Sequence, residues 1–190
     1  MASEVEMCNR ALQKLGAQRI TSLSENSVNA RACSIAYPVI RDREQEEHFW
    51  NFTIERATLA ADATAPAWGR NNSFELPADF LKLAPDYPED NFNSKDWQIE
   101  GRKILTNDSA PLYVRYVKQV TDPNLMPPLF RETVSAALAM ELAEELTQSN
   151  TKKEAVKADY EDMIARAKKS NAIQNVPQMP ATDSWITERD

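Results

Sequence analysis

The sequence holds only three glycines, one histidine and two cysteines in 190 residues. Each shortage excludes a class of chemistry. Gly16, Gly69 and Gly101 are too scattered for a phosphate-cradling loop, and neither G-x-G-x-x-G nor G-x-x-x-x-G-K-[ST] occurs. His48, Cys8 and Cys33 cannot assemble a Cys/His zinc cluster. Positive charge is also short. Lys and Arg number 22 against 29 Asp and Glu, for a net charge of −7. That balance argues against a sequence-nonspecific nucleic-acid clamp, which needs a basic face. Long apolar runs are missing too. The most apolar stretch, 134–143, is short and contains Glu141, so no membrane association is expected. Residues 1–6 are acidic and do not read as a secretory leader.

What is present describes a folded domain. With 42% hydrophobic and 27% charged residues, the composition is that of a globular protein. A chain of this size buries roughly 70% of its unfolded surface and requires no disulfide or metal staple. The two separated thiols fit synthesis in a reducing compartment, with a Cys8–Cys33 bridge between packed helices as the alternative.

The hydrophobic period changes twice along the chain. A first helix is predicted from the Ser3…Glu6 capping box, with Val5, Cys8, Ala11, Leu12 and Leu15 inward and Gly16 ending it. A second begins near Asn26. Its predicted buried stripe is Val28, Ala32, Ile35, Ala36, Val39 and Ile40, and Pro38 should kink or divide it. The charged run 41–47 reads either as a solvated face or as one that meets a neighbouring subunit through mixed-sign pairs. Strand spacing starts at Trp50, Phe52 and Ile54. Further strands are expected around Phe74, at Leu81–Leu83 and at Leu112–Val117, with a hairpin turning on Gly101-Arg102. Residues 62–72 and 84–96 read as loops. Helical spacing returns with Phe130, Val134, Leu138, Leu142 and Leu146, every four residues. A Thr151…Glu154 capping box then starts a last helix with Val156, Tyr160, Met163, Ile164 and Ala167 on one face.

These elements predict an α+β fold. Residues 1–49 and 121–173 supply helix pairs of one bundle, 50–120 form an inserted, small antiparallel β lobe, and 174–190 form an extended arm. No constellation amounts to an active site. Sequence neighbours do not face each other on a helix, so Glu46 and Glu47 do not orient His48. A Cys8/His48 nucleophile pair has no supporting motif. Asp79, Asp86 and Asp90 lack the D-x-D-x-D-G spacing of a calcium loop and read as turn residues. Glu141, Glu144 and Glu145 read as the wet face of a helix. No catalytic residue, cofactor or metal is expected.

Four signatures resemble the head-to-tail adaptor proteins of short-tailed bacteriophages, the tail tubular protein A type. They are Cys8-Asn9-Arg10-Ala11-Leu12-Gln13-Lys14-Leu15-Gly16 with Ile20-Thr21-Ser22-Leu23; Ala36-Tyr37-Pro38 with Arg41-Asp42 and Phe49-Trp50-Asn51-Phe52; Phe74-Glu75-Leu76-Pro77-Ala78-Asp79-Phe80-Leu81; and Tyr113-Val114-Arg115-Tyr116 with Pro128-Leu129-Phe130. Together they run in order along nearly the whole chain. The acidic run at Glu44–Glu47 departs from the pattern, where a more apolar helix end is expected.

The resemblance implies a non-enzymatic virion protein of the tail or neck, made in the host cytoplasm. It implies a ring of about twelve copies (a homododecamer) that binds the portal on one side and a downstream tail or nozzle protein on the other. DNA leaves the capsid through its centre without sequence-specific binding. Such a ring would carry about −84 formal charges, which would let phosphates slide past rather than stick. Candidate portal or subunit contacts are Trp185, Ile186, Arg41, Arg43, Glu46 and Glu47. Candidate lumen-facing residues are Lys152, Lys153 and Lys157. Two other readings stand beside this one. Paired carboxylates such as Glu141 and Glu145 could serve a cell-wall hydrolase, and the helices could form a generic protein-interaction module.

Overall fold

The computed structural model describes residues 2–84 and 96–174. Within them the chain is α+β, with four helices and two small antiparallel sheets of three strands each. Helix α1 spans Glu4–Leu15. The Ser3 hydroxyl accepts a hydrogen bond from the Glu6 amide, and Glu4 and Glu6 place negative charge on the first turn, where the helix dipole favours it. Gly16 ends the helix at φ 74°, and its amide donates back to the Leu12 and Gln13 carbonyls. That left-handed conformation is strained for a residue with a Cβ.

Helix α2 spans Val28–Glu47 with Ser27 as its cap. It runs through Pro38 without a break. The carbonyl that loses its amide partner there belongs to Ser34, an exposed residue, so the missing hydrogen bond falls on the solvent side of the helix. The buried stripe differs from the predicted one. Ala30, Ala32, Cys33, Tyr37, Ile40, Arg41, Glu44 and Gln45 face the interior, while Val28, Ile35 and Val39 face solvent.

The strand expected at Trp50 starts four residues later. Asn51–Thr53 form a single 3-10 turn, and strand β1 is Ile54–Leu59. The reason lies in the aromatics. Trp50 and Phe52 pack edge-on to Phe130 at centroid distances of 5.0 and 4.8 Å, and the Trp50 indole donates to the Glu44 carbonyl at 2.7 Å. Both rings belong to the helical core rather than to a sheet.

The remaining strands are β2 (Asn72–Glu75), β3 (Phe80–Leu83), β4 (Trp97–Glu100), β5 (Lys103–Thr106) and β6 (Leu112–Lys118). One sheet has the order β1-β6-β3 and the other β2-β5-β4, so the single expected sheet is two. β6 lies antiparallel to β1 with Ile54 opposite Val117 and Leu59 opposite Leu112. Gly101 turns the β4–β5 hairpin at φ 59°. Leu59, Phe74, Leu76, Ile104, Leu112, Val114 and Tyr116 join both sheets in a core of their own.

Helix α3 spans Pro128–Thr147 and α4 spans Asn150–Ile173. Gln148 takes a left-handed conformation between them, and Ser149, rather than Thr151, caps α4 by accepting from the Lys152 amide. α3 is central and packs against α1, α2 and α4. Ala136, Ala137, Ala139 and Ala143 are fully buried on it, which lets its neighbours approach closely.

Side-chain amides tie this framework together by pairing with backbone. Asn9 donates to the Ile20 carbonyl and accepts from the Ile20 amide, both at 2.8 Å. Gln45 does the same for Val120, donating at 2.9 Å and accepting at 2.7 Å. Asn171 accepts from the Asn51 amide at 2.8 Å, and the Asn51 side chain donates to the Asn171 carbonyl at 2.9 Å. The first clamp explains why the Asn9 and Ile20 segments of the N-terminal signature occur together: one holds the other. Asn9→Ala is expected to destabilise the fold by about 1–2 kcal/mol, because two part-buried backbone groups lose their partner. Urea denaturation followed by circular dichroism should show a lower midpoint at unchanged slope.

Candidate functional site

α2 is apolar on two sides. Cys33, Tyr37 and Ile40 recur at four and three residues and fill the bundle core. Val28, Ala32, Ile35 and Val39 recur at four, three and four residues on another face, where Ala32 alone is buried. That second spacing is the a/d seam of a helix awaiting a partner. Ile35 is 73% exposed and Val39 64%. Together with Ala36 and Leu142 they floor a cleft of about 600 Å³ between α2 and α3. Arg31 stands on the α2 rim, and Glu141 and Glu145 stand on the α3 rim. Leu142 is buried while both glutamates are exposed. The floor is therefore apolar and the α3 edge acidic. Expecting all six apolar residues of α2 in one buried stripe hides this face. The usable signal is a helix whose apolar residues cover more than one side, which requires more than one partner.

The charged run at the end of α2 is divided by burial. Arg41 is 6% exposed, paired with Asp42 at 2.8 Å and with Glu4 at 3.8 Å, and its guanidinium lies 5.9 Å from the Tyr37 ring centroid. Arg43, Glu46 and Glu47 are exposed. Glu46 also uses its carbonyl to accept from Lys82 of the lobe, whose ammonium sits 4.3 Å from the Phe49 ring centroid. Of the lysines, Lys153 pairs with Glu144 at 2.7 Å and Lys157 with Glu161 at 3.9 Å, while Lys152 is half-buried. Trp185 and Ile186 lie outside the described residues, as do Asp86 and Asp90.

Glu44 is fully buried, in contrast to the solvated run expected around it. Its carboxylate accepts from the Tyr160 hydroxyl at 3.1 Å and from Arg43 at 3.2 Å, which ties α2 to α4. Burial raises its pKa, against the lowering effect of Arg43 and the Tyr160 hydrogen bond and with the repulsion of Glu47 adding to the rise. A raised carboxyl pKa means that the folded state holds the proton more tightly than the unfolded chain does. The stability tied to that proton is therefore complete below the ordinary glutamate pKa and is lost as pH climbs through the folded value. Glu44→Gln keeps an acceptor for Tyr160 and removes the buried charge. It should raise the melting temperature at pH 7, and the gain over wild type should vanish near pH 4 in a thermal-denaturation series.

Residues weighed for catalysis are dispersed. Cys8 and Cys33 are buried free thiols of adjacent helices. The hydrogen bond between them and their burial push the Cys8 thiol up, away from thiolate. His48 sits just past the C-terminal end of α2, fifteen positions beyond Cys33 and about 20 Å away along the helix axis, so the structure does not bring His48 to either sulfur. Its ring packs edge-on to Trp50 at 4.8 Å, and burial lowers its pKa, helped by Lys168 and Lys82. Asp79 accepts from the Tyr116 hydroxyl at 3.0 Å, joining the third signature to the fourth. Burial and that carboxylate push Tyr116 up to about 12. Among the described residues no group of three or more His, Cys, Asp and Glu side chains could hold a metal ion, and no helix is long and apolar enough to cross a membrane.

The chain was also compared with known proteins: no family model matches it, and no curated protein matches it.

Proposed function

We propose that this chain is the ring-forming adaptor between the portal and the tail of a short-tailed phage, with a structural rather than a catalytic role. The observation that carries this reading is the apolar seam of α2, left open on a helix that is already docked in the bundle. A surface of that kind belongs to a protein built to bind other proteins. The resemblance of the four signatures supplies the class of assembly. Several of their residues hold the framework together: Asn9 with Ile20, Trp50 with Phe130, and Asp79 with Tyr116. The net charge of −7 suits a ring through which DNA passes without sticking.

Native mass spectrometry of the chain mixed with the portal ring of its phage tests the proposal. The expected product is a portal complex carrying a closed ring of the chain, about twelve copies. A chain that remains monomeric and unbound beside an intact portal ring would remove the adaptor reading.

A further inference from the structure

We propose that Cys8 and Cys33 are a dithiol pair that a small-molecule disulfide converts to an intramolecular disulfide, locking α1 to α2. The proposal rests on where the two sulfurs lie and is independent of the adaptor reading.

Three side-chain contacts mark the line along which α1 meets α2. The Arg41 guanidinium lies 3.8 Å from the Glu4 carboxylate, the Tyr37 hydroxyl donates to the Met7 sulfur at 3.5 Å, and Cys8 and Cys33 are hydrogen-bonded thiol to thiol. Positions rise along α1 as they fall along α2, so the two helices run antiparallel here. Both cysteines are fully buried in the same core, and the chain has no others, so each has one possible partner within the molecule. Thiols already in contact need close only the remaining gap to the S–S bond length of about 2 Å. α1 and α2 each pack chiefly on α3 and much less on each other, so few other contacts between them oppose that approach.

The hydrogen bond sets the order of events. Cys8 donates and Cys33 accepts, which holds Cys8 as the thiol and lowers the Cys33 pKa against the effect of burial. The Cys33 thiolate is therefore the attacking sulfur. When α1 opens locally from α2, this thiolate attacks one sulfur of the disulfide reagent. The reagent's S–S bond breaks, one thiolate leaves, and Cys33 carries the other half as a mixed disulfide. As α1 returns, the Cys8 sulfur gives up its proton, attacks the Cys33 sulfur and expels the second thiolate. The two cysteine protons end on the two departing thiolates. The protein has lost two electrons and the reagent has gained them. The new bond closes the loop between positions 8 and 33, which restricts the unfolded chain and so stabilises the folded one.

The test incubates the reduced full-length chain with oxidised glutathione, once as the native protein and once during refolding from urea, where burial is no barrier. Trypsin digestion without reductant should then yield residues 1–10 linked to residues 32–41. The linked protein should be monomeric and melt about 5–10 °C above the reduced one, and dithiothreitol should reverse both changes. Cys8→Ser should stop at a glutathione adduct on Cys33, with no rise in melting temperature. Five results would each overturn the inference: a chain still reduced after both treatments, wild-type Cys33 retaining glutathione, links only between molecules, a linked monomer that melts no higher, or the same rise in Cys8→Ser.

Discussion

Gln45→Ala is expected to cost about 3–4 kcal/mol and to lower the melting temperature by about 10 °C. The size follows from what the side chain holds. Gln45 is fully buried, and its amide pairs with both backbone groups of Val120. Truncation leaves one amide hydrogen and one carbonyl without partners in a site that excludes water, and each unmade pairing costs about 1–3 kcal/mol. The loss is also placed where α2 meets the chain leaving β6, so it loosens the lobe from the bundle. Chemical denaturation of Gln45→Ala and Gln45→Glu separates the causes. Glu can still accept from the Val120 amide, but when ionised it cannot donate to the Val120 carbonyl. Gln45→Glu should therefore be destabilised at pH 7 and recover in part as pH falls. A Gln45→Ala midpoint within experimental error of wild type would show that the clamp contributes nothing.

Trp50→Ala should be comparably damaging, at about 3–5 kcal/mol. The ring is 2% exposed and packs against His48, Phe52 and Phe130, and its indole nitrogen satisfies the Glu44 carbonyl near the last turn of α2. Trp50→Phe isolates the second contribution. It keeps most of the aromatic packing and leaves the carbonyl unpaired, so it should cost about 1–2 kcal/mol. Equal losses for the two variants would place the whole effect in the hydrogen bond, and a negligible loss for Trp50→Phe would place it in packing.

The ends of α1 and the β4–β5 hairpin were legible because their causes are local. Ser3 and Gly16 bound α1 through their own hydroxyl and φ, and Gly101 marks the β4–β5 turn in the same way. The misreadings have tertiary causes. Trp50, Phe52 and Ile54 alternate like a strand, yet the two rings are drawn to Phe130, more than seventy residues away. Nothing in their own neighbourhood carries that information. Glu44 and Gln45 look like surface residues until Tyr160 and Val120 are placed opposite them. The site suffered most. Periodicity says that α2 is apolar but cannot divide its apolar residues between an internal partner and an external one. Only the placement of α1 and α3, with Cys8 beside Cys33 and Met7 beside Tyr37, leaves Ile35 and Val39 outside.

The pairing of β1 with β6 has a mechanical consequence. Ile54 enters the lobe directly opposite Val117, where the chain leaves it. The lobe is therefore joined covalently to the bundle by two strands side by side, about 5 Å apart. A load on the lobe is shared by two covalent chains and by the contact of Lys82 with the end of α2. The same proximity makes it a replaceable cassette: a short turn joining Thr53 to Lys118 would close the chain over the gap, and a lobe of another length could be grafted at the same two points.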